Sequence, residues 1–459
     1  VRTVAVVGGG ISGMTAAYRL RQSLGDAAEI VVFDSATALG GKLRTIELAG
    51  QAYDVGAEAF LARRPEMLAL VQEIGLDAQL THPTGARATI RAGGTSRGLP
   101  PGTVMGVPAS AEAVAGILSE TGRQAVAAEA TLPLSLPDRD VPLGRLLRDR
   151  FGDELVDRLV DPLLGGVYAG GADGLGLRAT MPGLAAAVAK GAGSLTAAAA
   201  AQLPKSRSTA PVFGTTVGGL STVIDRLAEL AKADVRLGLP VRSLRRSADG
   251  WRLEIGATTS TEVREFDAVV LAVPAPSARK LLDGIVPAAS AAFGEIELAS
   301  MAVVAMALPE GAELPDISGI LIGAGERDSA GKPFAAKAFT FSTRKWAHYG
   351  DGPVLVRGSV GRFGEERVLQ VDDSELIAAV RRDLADLTGV TAEPVETIVT
   401  RWGGGLPQYG AGHLDRVDRI ERAVGEIPGL AVAGATLHGV GLPACVATAT
   451  TAVNRLLTR

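Results

Sequence analysis

Val4-Ala5-Val6-Val7-Gly8-Gly9-Gly10-Ile11-Ser12-Gly13 stands near the start of the chain, and Glu29-Ile30-Val31-Val32-Phe33 follows it and ends on the acid Asp34. The apolar tetrad predicts a buried strand, the glycines a tight turn, and Thr15-Ala16-Ala17-Tyr18-Arg19-Leu20 a helix directly after it. Gly8 permits the turn, Gly10 lets the backbone approach a pyrophosphate, and Gly13 lets the helix pack close against the strand. The helix start, with Ile11 and Ser12, presents unpaired N–H groups and a positive dipole end to a diphosphate. Asp34, with Ser35 beside it, can accept from ribose hydroxyls, and no flanking basic residue favours a 2′-phosphate. In a chain with 58 glycines the spacing alone is weak. The strand before, the helix after and the acid closing the second strand give it a context, that of a dinucleotide-binding β-turn-α unit.

Composition excludes several other functions. At 459 residues, with 47% hydrophobic residues and a net charge of −4, the chain can bury two or three cores and has no polyelectrolyte character. Lys and Arg (46) are interspersed with Asp and Glu (50), so nucleic acid is not an expected partner. A single cysteine, Cys445, excludes an internal disulfide and a cysteine-based metal site, and His82, His348, His413 and His438 are scattered. No metal is expected. The glycine motif begins at residue 8, which predicts a cytoplasmic protein without a cleaved leader. Residues 183–201 are alanine-rich and interrupted by Lys190, which does not read as a membrane span, while peripheral membrane contact stays open.

A second glycine cluster, Leu39-Gly40-Gly41-Lys42-Leu43-Arg44-Thr45, resembles the loop that runs along the extended dinucleotide in FAD enzymes of the glutathione-reductase superfamily. The likeness moves the cofactor from a nicotinamide to FAD, with Lys42 or Arg44 offsetting phosphate charge; a simple turn is the alternative. Tyr53-Asp54-Val55-Gly56-Ala57-Glu58-Ala59-Phe60 is a short strand entering small residues, similar to the segment that passes the isoalloxazine in flavin amine oxidases. Residues 93–203 then shift to helical periodicity, clearest over residues 141–152. Residues 235–242 predict one extended strand and residues 267–274 a buried parallel one, placing Val241 and Ala272 among the cofactor contacts. Residues 301–308 and 353–360 alternate as in an antiparallel sheet. Near the end, Leu430-Ala431-Val432-Ala433-Gly434 and Gly439-Val440-Gly441-Leu442 again read as strand, glycine turn and helix. That second helix N-terminus can face the flavin pyrimidine ring.

Asp161-Pro162-Leu163-Leu164-Gly165-Gly166-Val167-Tyr168-Ala169-Gly170, Thr340-Phe341-Ser342 with Lys345-Trp346, and the stretch from Arg401-Trp402 through Pro407-Gln408-Tyr409 to His413 carry a more specific likeness. With them the chain resembles the HemY-type porphyrinogen oxidases of the FAD-linked amine oxidase superfamily over essentially its whole length. The resemblance implies six-electron aromatisation of a porphyrinogen substrate, with dioxygen reoxidising a non-covalently held FAD and releasing hydrogen peroxide. A meso methylene between two pyrroles is activated enough to give a hydride without a strong protein base, so no catalytic residue is assigned. Cys445 is expected to be a buried, unmodified thiol. Trp402 joins the cofactor set, Arg87 and Arg91 are candidates for substrate carboxylates, and Tyr168 and Leu175 for the pocket wall. Coproporphyrinogen III is the favoured substrate and protoporphyrinogen IX the alternative.

The predicted class is α/β: a glutathione-reductase-type FAD-binding Rossmann domain with an inserted helical domain and a mainly antiparallel β substrate domain. The expected division is residues 1–92, 210–290 and 401–459 for FAD, 93–209 for the helical insertion and 291–400 for the substrate platform. The insertion is also a candidate docking surface for the ferrochelatase that takes the product. Rival readings are a flavin amine oxidase or desaturase, and a porphyrin-carrying flavoprotein without turnover.

Overall fold

The run Val4–Val7 needs partners on both edges and cover on both faces, and it receives one edge partner from close by in sequence and the other from hundreds of residues away. In the computed structural model, which describes residues 2–205 and 209–458, a five-stranded sheet forms in the order Asp234–Arg236, Glu29–Phe33, Thr3–Val7, Ala268–Leu271, Leu430–Val432. All its pairings are parallel. Val4 and Val6 face a core shared with the helices Ile11–Leu24, Ser221–Ala231 and Leu442–Leu457. Ala5 and Val7 face the other core, built with Trp251 and Phe266 of a three-stranded antiparallel meander and with helices Ala275–Leu282, Pro287–Gly294 and His413–Gly425. Burial on both faces explains why these strands read as unbroken apolar runs.

The single strand expected over residues 235–242 is two. Gly238, at φ +67°, and Pro240 break it, so that Asp234–Arg236 ends the parallel sheet and Val241–Arg246 begins the meander. The turn between them lies against the acid loop, with Gly238 N donating to the Ala36 carbonyl at 2.8 Å and Leu239 N to that of Asp34 at 3.0 Å.

A second sheet has seven strands, in the order Glu396–Pro407, Leu298–Leu308, Val354–Val360, Ala336–Phe341, Gly319–Ile322, Ala88–Ala92, Thr95–Gly98. Its pairs are antiparallel except that between Gly319–Ile322 and Ala88–Ala92. The helix Asp373–Thr388 covers one face. Asp372 caps it, accepting from Glu375 N at 2.9 Å. The other face packs on the hairpin Thr45–Leu48/Gln51–Asp54 through Ala305, Ala307 and Leu355, and meets the insertion at Ile90, Ala92 and Leu321. The boundary expected at residues 92 and 93 falls inside the hairpin Ala88–Ala92/Thr95–Gly98, and position 401 falls within the strand Glu396–Pro407. Those breaks are therefore corrected: residues 88–98 and 396–407 belong to the antiparallel sheet.

After a single 3-10 turn at Glu112–Val114, the α-helices of the insertion run from Glu120–Glu129 to Leu195–Gln202. They are knit by a buried pair. Glu129, with no exposed surface, accepts from Arg150 Nε at 2.5 Å, Leu195 N at 2.8 Å, Thr196 N at 3.0 Å and Thr196 Oγ1 at 2.8 Å. Arg150 spends its other donors on the carbonyls of Glu129, Leu132 and Pro133. The alanine-rich stretch is two short helices, Pro182–Ala189 and Leu195–Gln202, the second capped by Ser194. Among the described residues, no helix is long and apolar enough to cross a membrane.

Candidate functional site

The three glycines of the first turn differ in a way that reveals what the turn is for. A Cβ on Gly8 would lie 2.2 Å from the Ala272 carbonyl oxygen, and one on Gly13 only 1.8 Å from that of Gly8. Those two glycines satisfy the protein's own packing. A Cβ on Gly10 would meet nothing nearer than the Gly40 oxygen at 3.9 Å, so the fold leaves room there. Gly10 is also the N-cap of Ile11–Leu24 and provides no side-chain cap. The helix thus begins with free N–H donors over an open approach, which suits a pyrophosphate.

The second glycine loop lies against the first. Gly40 N donates to Gly9 O at 2.8 Å, and Gly10 and Gly40 form a parallel bridge. Asp34 ties the first turn to its own loop: its carboxylate accepts from Gly9 N at 2.7 Å and Ala36 N at 2.8 Å. Ser35 beside it is exposed. Lys42 is partly buried, which lowers the pKa of its ammonium, while Leu43 is packed away and Arg44 is exposed. The backbone of Lys42 and Arg44 then pairs with the next segment, accepting from Ala57 N at 3.0 Å and Val55 N at 3.0 Å. Trp402 Nε1 donates to Val55 O at 2.9 Å and places the indole beside Gly56. Ala272 N donates to Val7 O, which puts that residue at the first turn.

The last helix completes the cradle. Gly441 caps Leu442–Leu457 without a side-chain bond, and Gly434 N donates to Thr448 Oγ1 at 3.1 Å. Ser12 Oγ reaches the Cys445 carbonyl at 3.3 Å, tying the two helix starts together. Val440 joins their setting by accepting from the Cys445 thiol, which is itself buried and raised in pKa by that burial. Hydrogen bonds and close contacts thus join the first turn, the residue 40–44 loop, residues 55–57, Trp402, Ala272 and the start of the last helix, while Val241 lies in the meander, paired with Ile255.

Several buried or half-buried charged groups stand nearby, of which only Glu58 was among the residues expected from the sequence. Arg357 is buried and donates to Asp54 O and Gly56 O, both at 3.0 Å. Burial pushes the Asp54 carboxyl up to about 6 against the hydrogen bonds from Thr45 and Leu220. Burial also acts to raise the Glu58 carboxyl, but the charges of Lys345 and Arg357 outweigh it and hold the pKa low; Lys345 Nζ lies 2.5 Å from Glu58 Oε1. Lys337, only 6% exposed, donates to the Gly165 carbonyl at 3.0 Å. The sequence signal was present, since Lys337 and Arg357 each interrupt an apolar strand.

The expected substrate residues separate. Arg87 is exposed in an open groove with Thr84, Asp316, Thr343 and Arg344. That groove adjoins Lys345, whose carbonyl accepts from Thr84 N at 2.8 Å. Arg91 is corrected: it pairs with Glu326 at 3.5 Å, beside Ile322 rather than on the insertion-facing register of Ile90 and Leu321. Leu175 is corrected as well, because it has no exposed surface and packs inside the insertion core. Tyr168 is buried with its ring 5.6 Å from Tyr409, and burial pushes its phenol up to about 12. Tyr409 in turn stacks on His413 at 3.8 Å and donates to Ala435 O. Among the described residues, no cluster of ligating side chains could hold a metal ion.

Comparison with known proteins agrees with this geometry. Residues 11–457 match the model for flavin containing amine oxidoreductase. The chain is 45% identical to coproporphyrinogen III oxidase of Mycobacterium tuberculosis, over 99% of this chain and 97% of that protein. It is 30% identical to coproporphyrinogen III oxidase of Bacillus subtilis, over 99% and 98% of the two chains. A crystal structure from Exiguobacterium, provisionally named protoporphyrinogen oxidase, superposes with a TM-score of 0.85 at 32% identity and covers 99% of this chain and 98% of its own.

Proposed function

Because the chain belongs to the flavin containing amine oxidoreductase family, we propose that it oxidises coproporphyrinogen III to coproporphyrin III with FAD and dioxygen, releasing hydrogen peroxide. The full-length likeness to the mycobacterial coproporphyrinogen oxidase carries this choice of substrate. When bound, FAD supplies a two-electron acceptor that dioxygen regenerates. The protein's part is to bind, orient and exclude water. Gly10 and Gly441 open two helix N-termini toward the anionic parts of the cofactor. The Arg357 guanidinium fixes the backbone at Asp54 and Gly56, so the small residues after it form a rigid wall against a flat ring. Arg87 in its exposed groove is the cation for a propionate at the rim.

FAD is held without a covalent bond in this reading, since the Cys445 thiol is buried and raised in pKa rather than presented as a nucleophile. We place the enzyme in the cytoplasm with at most peripheral membrane contact, passing its product to ferrochelatase through transient contact with the insertion. Purified protein should be yellow and release its flavin intact on acid precipitation. Under air it should generate porphyrin fluorescence faster from coproporphyrinogen III than from protoporphyrinogen IX. A faster rate with the second would move the enzyme to the later substrate, the reading that the name of the Exiguobacterium structure favours. Turnover of neither substrate by flavin-loaded protein would overturn the porphyrinogen reading.

A further inference from the structure

A lysine inside a strand, almost without exposed surface, is costly unless something pairs with it. Lys337 sits where the register of Ala336–Phe341 against Val354–Val360 slips, between the pairs Ala336 with Val360 and Ala338 with Ser359. The irregularity leaves the lysine reaching the helix Asp161–Tyr168, where its described hydrogen bond is to the Gly165 carbonyl. Among the described residues it makes no ion pair. Its charged neighbours are Arg362 and Arg357, whose charges add to burial in pushing the amine down to about 7. Arg362 lies close because the Phe363 amide donates to Ala169 O at 2.7 Å, just past the same helix. Arg362 gives one donor to Ile322 O at 2.8 Å, lies 3.8 Å from the solvent-facing Glu365 and feels the charge of Asp161. On the helix side, Asp161 is engaged by Ala172 N at 2.7 Å. Lys337 therefore faces two arginines, while the nearby carboxylates Asp161 and Glu365 act on Arg362.

Sheet and helix also do not close on each other there. A Cβ on Gly165 would meet nothing within 4 Å, and one on Gly166 only the Leu321 side chain at 3.6 Å. Val167, next in the helix, is 40% exposed. We propose that Lys337 and Arg362 receive a substrate propionate in the gap beneath the Asp161–Tyr168 helix, and so set the preference for a tetracarboxylate porphyrinogen over a dicarboxylate one. The assignment rests on the porphyrinogen reading and adds a second anionic subsite, distinct from the rim at Arg87. A carboxylate between the two cations would complete their hydrogen bonding and offset the cost of burying them.

K337M keeps the length of the side chain and removes its charge. Gly165 O also accepts from Ala169 N at 3.2 Å, so the variant strands no buried carbonyl. Steady-state kinetics of flavin-loaded wild type, K337M and K337R with coproporphyrinogen III and protoporphyrinogen IX make the test, with melting temperature and flavin content measured alongside. We expect the KM of K337M for coproporphyrinogen III to rise about tenfold or more, that for protoporphyrinogen IX to stay within about twofold, and K337R to recover most of the loss. An equal effect on both substrates, or a loss of melting temperature with the substrate ratio unchanged, would mark Lys337 as a structural strut and overturn the subsite while leaving the proposed reaction standing. Wild-type protein that turns over neither substrate would remove the reaction and the subsite together.

Discussion

The cofactor cradle and the gap beneath the Asp161–Tyr168 helix are built from opposite materials. The cradle is backbone: glycine turns, helix starts and carbonyls, with Asp34 as its one carboxylate tie at the first turn. The gap is lined by long cationic side chains brought together from strands and a loop far apart in sequence. A cofactor with a fixed diphosphate can be held by geometry, which small residues provide without desolvating a charge. A substrate recognised by its carboxylates needs countercharges, whose burial must be offset when the substrate arrives.

The largest test of the comparison is within the first turn. G13A forces a Cβ onto the Gly8 carbonyl and should abolish flavin binding together with the melting transition of the native fold. G10A has space and should leave the melting temperature of flavin-free protein within about 1 °C, yet weaken flavin affinity about tenfold or more, as read by flavin fluorescence titration. Equal damage from both would show that Gly10, too, serves only internal packing.

Next in size is the insertion's own charge, which already has its partners. E129A leaves Arg150 buried and unpaired and should cost about 3–5 kcal/mol in denaturant unfolding. A smaller loss would mean that the insertion tolerates an unpaired charge as the proposed subsite does.

His413 extends the comparison to pH. Burial pushes its imidazole down to about 4, its Nε2 faces the Leu437 carbonyl at 2.9 Å, and its Nδ1 is buried without a partner. The unfolded chain takes up that proton near pH 6.5 and the native state does not. Stability contributed by the neutral ring is therefore full above about 6.5 and lost as pH falls toward 4, on the order of 3 kcal/mol. H413F retains an aromatic partner for Tyr409 and should flatten this acid-side decline in melting temperature. An unchanged slope would assign it to other groups. The smallest effect belongs to W402F, which removes one hydrogen bond to Val55 and should cost about 1 kcal/mol with a small shift in the bound-flavin spectrum.

Legibility followed the same division. Gly8, Gly10, Gly13, Asp34 and the residue 40–44 loop were readable because their requirements are local: a turn, a helix start and an acid closing the next strand. Arg357 stands in a strand that the sequence does place and Lys337 in one it does not name, and one sequence does not reveal which face of a strand a charge occupies or what lies opposite. Arg91 shows the cost, since its neighbour Ile90 faces the insertion while Arg91 turns to Glu326. Leu175 shows the converse, an apolar residue whose burial says nothing of which cavity it borders. The break at Gly238 and Pro240 was visible in composition, yet only pairing with Glu29–Phe33 on one side and Trp251–Ile255 on the other made it a change of sheet.

The parallel sheet also sets an order of assembly. Its central strand, Thr3–Val7, is made well before its neighbour Ala268–Leu271 and the edge Leu430–Val432, and the second helix start of the cradle comes later still. Thr3–Val7 must wait with one edge unpaired until Ala268–Leu271 has been made, which exposes it to misassociation and makes closure of the sheet a high-contact-order step. Cofactor capture then belongs to the end of folding, and flavin supplied during refolding should raise the yield of native protein more than it raises the rate of the earliest phase.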